Sequence, residues 1–343
     1  MSQSATVTVA LDGLGAERGA AVIVAGALAA ASDGIRVRVF GDPTDLGELS
    51  GAAGIEVIAA PERITNDDDP VAAVRSREDA SIVRAAADVA AGGADALASS
   101  GSTGATMAAA TFALKRLHGV RRPALAVRLP SPSRAGAPTL LLDAGANSDA
   151  RATDLVQFAF LGAAFSQAVL GVERPRVALL SIGEEAKKGT PELRDAHARL
   201  LAADGISFTG NVEGSDLLAG VADVVVTDGF TGNVALKTVE GTARAVGDAV
   251  GAAARSGPLA LAGGALLRPA LGGLRRRMNP DSTGGAILLG LRRVAVVGHG
   301  SAGAEGVANA VRLAAHAVRE RAVERTSELL ERSGATRASL RDA

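Results

Sequence analysis

The chain has 343 residues, 48% of them apolar but only 2% aromatic, with no Trp and no Tyr, so its core must be built from Ala, Val, Leu and Ile. Its 36 basic residues nearly cancel its 37 acidic ones, which gives no support to sequence-independent nucleic-acid binding, a function that needs a basic excess. With no Cys, structural disulfides, thiolate metal sites and a cysteine nucleophile are all excluded.

Residues 1–13 show no basic segment followed by an apolar run, so no secretory signal is expected and the chain is assigned to the cytoplasm. In chain order, apolar runs bounded by Gly, Asp or Asn predict strands at 6–11, 35–40, 55–58, 94–98, 123–128, 139–142, 177–181, 206–208, 224–227 and 294–297. Helical patterns fall between them: an Ala-rich one as far as about residue 31, then 71–91, 107–117, 155–172, 192–203 and a long one from 305 to about 332. Two uncharged stretches, 96–114 and 155–172, approach the length of a membrane span. The Ser, Thr and Gly of the first, and Gln157, Ser166 and Gln167 of the second, suit buried helices of a soluble fold better. The alternation predicts an α/β fold with a doubly wound, largely parallel sheet. The expected organisation is one large α/β unit over 1–332, a protruding helical segment at 256–281 within it, and a frayed polar tail over 333–343.

The predicted strand ends share one chemistry. SSGSTG supplies Ser100, Gly101, Ser102 and Thr103; DAGAN supplies Asp143 and Asn147; GEEAKKG supplies Glu184, Glu185, Lys187 and Lys188. Asn211 follows the 206–208 run, TDGFTGN supplies Asp228, Thr231 and Asn233, and GHGS supplies His299 and Ser301. Backbone donors, hydroxyls, amides and a few charges at the carboxyl ends of strands suit a phosphate or acyl-phosphate site. None of these segments matches a Walker loop, a dinucleotide GxGxxG or a zinc spacing. Blander roles stand beside each. Asp12, Asp143 and Asp228 could cap helices. His299 fits a structural histidine as well as a substrate contact. His118, His197 and His316 lie in helical, charge-rich surroundings that suit the surface. At least one of the adjacent Lys187 and Lys188 points to solvent, and the acidic run 67–69 suits a helix-entry cap better than a metal site.

The segment 256–281 departs from the rest. Leu267, Leu271, Leu274 and Met278 follow steps of four, three and four, and Arg268, Arg275, Arg276 and Arg277 add positive charge. That is the pattern of a helix lying on a membrane surface, with an oligomer interface or a core helix as the alternative. Pro269 and the neighbouring glycines weigh against one long helix.

Nine segments, in order, resemble the phosphate acyltransferase family of bacterial phospholipid synthesis, PlsX. They are DPVAAVR (69–75), ADALASSGSTGA (94–105), RPALA (122–126), LLLDAGAN (140–147), GEEAKKG (183–189), GNVEGSDLL (210–218), ADVVVTDGFTGNVALKTVEG (222–241), GGAILLGL (284–291) and GHGSA (298–302). The resemblance implies an isopropylmalate-dehydrogenase-like fold, a homodimer, and transfer of a fatty acyl group from acyl carrier protein to inorganic phosphate. It also implies loose attachment to the membrane surface, no metal or organic cofactor, and a downstream glycerol-3-phosphate acyltransferase that uses the acyl phosphate. On matching positions it implies that Lys188 holds phosphate and that Asn233 and Asn211 donate to phosphate or to the developing oxyanion. Ser100, Gly101, Ser102, Thr103, Asp143, Asn147, Asp228, Thr231 and His299 would contact substrate. The chain departs from the family at DGLGAERGA (12–20), where the pattern is DAMGGDxAP, and at Ser102, Glu184 and Ala302, where Asn, Thr and Ser are usual. A short-chain phosphotransacetylase-like enzyme and a weakened, membrane-docked partner of acyl carrier protein are the alternatives; an NAD-dependent dehydrogenase is disfavoured by the absence of Tyr.

Overall fold

A computed structural model describes residues 6–131, 138–278 and 280–336, with the side chains at 270, 271, 274–278, 280 and 281 outside the described set. The chain begins with β1 (Thr8–Asp12), α1 (Ala20–Ser32), β2 (Arg36–Gly41), β3 (Ile55–Ala59), α2 (Pro70–Ser76), α3 (Ser81–Ala91), β4 (Ala96–Ser99) and α4 (Thr103–Leu114). It continues through β5 (Ala124–Leu129), β6 (Thr139–Leu142), α5 (Ala152–Ala168), β7 (Arg176–Leu180), α6 (Pro191–Ala202), β8 (Ser207–Val212) and β9 (Val224–Val226). Then come α7 (Gly229–Ala253), α8 (Pro258–Met278), β10 (Ala286–Leu289), β11 (Val294–Val297), α9 (Ala304–Arg319) and α10 (Ala322–Arg332).

All the strands join one sheet, ordered β3-β2-β1-β4-β11-β10-β5-β6-β9-β7-β8. Within β3-β2-β1-β4-β11 and within β6-β9-β7-β8 every pairing is parallel. Among the described residues, antiparallel strand pairings occur only around β10 and β5. The two parallel sets therefore run in opposite directions, joined by an antiparallel bridge. Strands such as TLLL, VVV, AILL and VAVV are buried along their whole length, as expected where helices cover both faces of a sheet. One face packs against α1, α5 and α9, and Phe158, Phe160 and Phe165 of α5 lie in that core. Each such buried aromatic contributes about 1.5–3 kcal/mol of burial free energy. The other face is covered by α3 and α4 over the first set and by Ala235 and Leu236 of α7 over the second.

Several expectations change in contact with the fold. The 71–91 pattern is two helices. Asp69 caps α2 by accepting from Ala72 N–H, and Pro70 sits in its first turn. Asp68 accepts from both guanidinium ends of Arg77 and from Thr65, which holds its carboxyl at about 2. The acidic run thus enters a helix. The pattern from 305 to 332 is also broken, at Arg321, whose φ of 55° separates α9 from α10. The strand β10 was not expected; its AILL run lies between Gly285 and Gly290, both at positive φ. Conversely, α8 runs unbroken with Pro269 inside it. Past α10, Ala335 is buried and its carbonyl accepts from Gln157, so the chain is still anchored there; residues 337–343 of the expected tail lie outside those described.

The pair α7 and α8 differs from every other helix described. Among the described residues of the pair, only Gly229 and Gly232, at the start of α7, are fully buried. Val246, Val250, Leu259, Leu261, Leu266 and Leu267 are all exposed. The side chains of Leu271, Leu274 and Met278, which complete the predicted apolar face, lie outside the described residues. Among the described residues no helix is long and apolar enough to cross a membrane.

Candidate functional site

The strand registers explain where the predicted turns go. Leu179, Val226, Leu142, Ala126, Ile287, Val296 and Ala98 form one row across the sheet. Because the two parallel sets run oppositely, Ser99 leaves this row on one side and Asp143 on the other. Four strand steps separate them, about 19 Å at the usual spacing. The predicted residues therefore gather in two places. Ser100, Gly101, Ser102, Thr103 and His299 follow β4 and β11, beside Asp12 at the end of β1. Asp143, Asn147, Lys188, Asn211, Asp228, Thr231 and Asn233 lie on or after β6, β7, β8 and β9.

At the second place, most of the polar groups are occupied in holding turns. Asp143 is fully buried and accepts from the N–H groups of Leu125, Gly145, Ala146 and Asn147 and from the Asn147 side chain, at 2.7–3.1 Å. Burial pushes its carboxyl above the usual range, and these donors pull it back only in part. Asn147 also donates to the Pro123 carbonyl. Asp228 caps α7, accepting from both the N–H and the hydroxyl of Thr231. The turn after β9 lies against the turn after β6: a Cβ on Gly232 would sit 1.9 Å from the Asp143 carbonyl oxygen, so only glycine fits. Asn211 is 7% exposed and is held between His197 and the Glu185 carbonyl.

Lys188 and Asn233 are different. Among the described residues nothing bonds the Lys188 amine or the Asn233 side-chain amide. Lys188 is half-buried, its stem folded over Gly183, with Cγ 3.0 Å from where a Cβ there would be. Asn233 is exposed at the start of the second turn of α7, next to Gly145 of the Asp143 turn. A flexible ammonium and an amide donor beside closely packed turns can hold an anion and polarise a carbonyl.

The first place is organised by Asp12, which is 2% exposed. Its carboxylate accepts from the Ser81 hydroxyl at 2.6 Å and the Ser99 hydroxyl at 2.7 Å, and Gly101 N–H donates to Ser99 Oγ. Ser102 caps α4. Ser100 Oγ is buried without a partner among the described residues. His299 is half-buried, and its Nδ1 accepts from Ser301 N–H, which leaves Nε2 to carry a proton toward solvent or ligand.

Sequence reasoning missed Ser81, counted Ser99 only as the first residue of SSGSTG, and misplaced His197, which is buried. Leu193, Ala196, His197 and Leu200 share one stripe of α6, and that spacing was the available signal.

A largely parallel α/β sheet with anion-suited turns at strand carboxyl ends places ligand-binding chemistry where such sheets bind ligands, and relatives specify the class. The chain is 45% identical to the phosphate acyltransferase of Thermobifida fusca over 315 residues, covering 89% of this chain and 86% of that one. It is 42% identical to the phosphate acyltransferase of Geobacillus sp. (strain WCH70) over 328 residues, covering 95% and 99%. The chain is an acyltransferase. Residues 7–325 match the model of the family described as fatty acid synthesis protein, and the chain belongs to that family. Among solved structures, a phosphotransacetylase from Streptococcus pyogenes superposes with a TM-score of 0.62 at 18% identity, covering 93% of this chain and 94% of that one. A 4-hydroxythreonine-4-phosphate dehydrogenase from Klebsiella pneumoniae gives 0.53 at 15% identity, covering 91% and 99%. These two likenesses bear on the fold alone.

Proposed function

We propose that the chain transfers a fatty acyl group from acyl carrier protein to inorganic phosphate, giving the acyl phosphate used in phosphatidic acid synthesis. The observation that carries this is the contrast at the β6–β9–β7–β8 edge, where Lys188 and Asn233 keep their polar ends free among the described residues while their neighbours hold turns. Phosphate is the nucleophile. An oxygen of hydrogen phosphate forms a bond to the thioester carbonyl carbon, the carbonyl becomes an oxyanion, and collapse breaks the C–S bond and expels the carrier's thiolate, which takes up the proton that the phosphate gives up. Lys188 holds the phosphate dianion and Asn233 donates to the developing oxyanion. Positioning and preorganised donors supply the acceleration. No thiol nucleophile is needed, in keeping with a chain that has no Cys. The cluster of Ser100, Gly101, Ser102, Thr103 and His299, four strand steps away, serves a part of the acyl donor remote from the thioester.

The enzyme works as a homodimer attached to the membrane surface through 256–281. Support comes from the exposed Leu259, Leu261, Leu266 and Leu267 and the exposed Arg268 of α8. Each basic residue near an anionic surface adds on the order of 1 kcal/mol. Co-sedimentation with vesicles containing anionic lipid, compared with Leu267→Glu at unchanged dimer mass, tests this; normal binding by the variant removes the membrane assignment.

Incubation with palmitoyl–acyl carrier protein and phosphate, assayed for acyl phosphate, tests the reaction. Product from acetyl-coenzyme A but none from the carrier-bound fatty acyl group would make the protein a short-chain enzyme. Carrier binding without product from either donor would make it a docking partner.

A further inference from the structure

Behind the lysine loop lies a buried polar path that the transfer reaction does not use. His197 of α6 is 8% exposed, with its ring edge-on to Phe208 at a centroid separation of 5.1 Å. His197 Nδ1 is 2.9 Å from Asn211 Oδ1. Asn211 Nδ2 donates to the Glu185 carbonyl at 3.0 Å, and that carbonyl also accepts from Lys188 N–H at 2.9 Å.

Donor and acceptor chemistry assigns the hydrogens. A carbonyl only accepts, so the amide nitrogen of Asn211 must face Glu185 and its oxygen must face His197. An amide oxygen also only accepts, so Nδ1 of His197 carries a hydrogen. The path has one direction, from His197 through Asn211 to the carbonyl that closes the Lys188 turn. Both side chains are more than nine-tenths buried, so no water readily replaces a missing donor, and an unpaired Asn211 oxygen would cost more than the bond itself contributes. Since the Lys188 stem folds across Gly183 in the same loop, the shape of that loop sets where the amine points.

We propose that His197 is a positioning residue which, through Asn211, holds the 183–189 loop in the shape that presents Lys188 to inorganic phosphate. The proposal rests on the phosphate role given to Lys188 above.

His197→Leu fills the site with an apolar side chain but removes the donor; His197→Gln offers an amide N–H to Asn211 Oδ1. The Leu variant is expected to raise the phosphate KM about tenfold, the factor for one buried hydrogen bond lost with its partner left unpaired. The KM for palmitoyl–acyl carrier protein stays put. Hydrogen exchange quickens at the amides of 183–189 while α6 and β8 remain protected, and the Gln variant restores both readouts. Unchanged loop exchange in the folded Leu variant overturns the proposal, as does an equal rise in both KM values or a Gln variant no better than Leu. In the wild-type protein, imidazole nitrogen shifts by NMR report a hydrogen on Nδ1 at neutral pH; a ring protonated on Nε2 alone overturns the path even if the Leu variant does not fold. Lys188→Ala separates the two assignments. An unchanged phosphate KM there removes the role of Lys188, and the proposal falls with it. A raised KM there, with unchanged loop exchange in the Leu variant, removes the proposal alone.

Discussion

Asp12 and Asp143 occupy equivalent places, each buried at the carboxyl end of a strand, yet they are held in different ways. Asp12 is bonded by hydroxyls from other elements, Ser81 of α3 and Ser99 of β4, so it stitches three pieces of the first strand set together. Asp143 is bonded mostly by backbone N–H groups of its own turn and by Asn147, so it moulds that turn. The side-chain stitch can be removed one hydroxyl at a time. The backbone mould cannot, because N–H donors survive every substitution but proline and would remain unpaired once the carboxylate is lost. The same comparison separates groups whose bonding is complete, which bear on stability, from Lys188 and Asn233, which the proposed reaction uses for turnover.

The sharpest test of that separation is Lys188→Ala and Asn233→Ala. Each is expected to lower turnover by roughly 100- to 1,000-fold, the usual loss for one positioned donor, with an unchanged denaturant midpoint. Near-normal rates in both folded variants would take these residues out of the site. Next comes Asp143→Ala, expected to cost roughly 3 kcal/mol or more in chemical denaturation, since several buried donors lose their acceptor together. A loss under 1 kcal/mol would mean that the turn keeps its shape without the carboxylate. Ser81→Ala removes one of the two hydroxyls on Asp12 and is expected to cost about 1.5–3 kcal/mol, the range for a hydrogen bond to a charged group. A loss as large as that of Asp143→Ala would erase the distinction between stitch and mould. The smallest effect belongs to Ser100→Ala. Its hydroxyl is buried and has no partner among the described residues, so its loss leaves nothing unpaired, and stability is expected to stay level or rise by up to about 1 kcal/mol.

Much of this architecture was legible in the sequence because the strands are apolar along their length and end at Gly, Asp or Asn. Thr139–Leu142 and Val294–Val297 are observed at their expected limits. The β10 strand escaped because AILL sits among glycines close after a segment with a helical pattern. The division of α2 from α3 and of α9 from α10 escaped because apolar spacing survives a break in the backbone. Strand order and the opposed directions of the two sets are non-local and leave no mark on local pattern. At the candidate site the residue types were readable but their commitments were not. Nothing in DAGAN says that Asp143 has every bond it can use, and nothing in TDGFTGN says that Asn233 has none among the described residues.

The antiparallel bridge has a consequence for how the chain is made. The first strand set and its helices are encoded early, but β4 has its second neighbour only in β11, and α1 packs against α9. On a ribosome, the nascent N-terminal portion would carry an unpaired strand edge and an uncovered apolar helix face until residue 294 and beyond had emerged. Such an edge invites mispairing with other chains. Synthesis of this protein should therefore lean on holding chaperones, and truncation anywhere before β11 should yield aggregates instead of a shorter folded product.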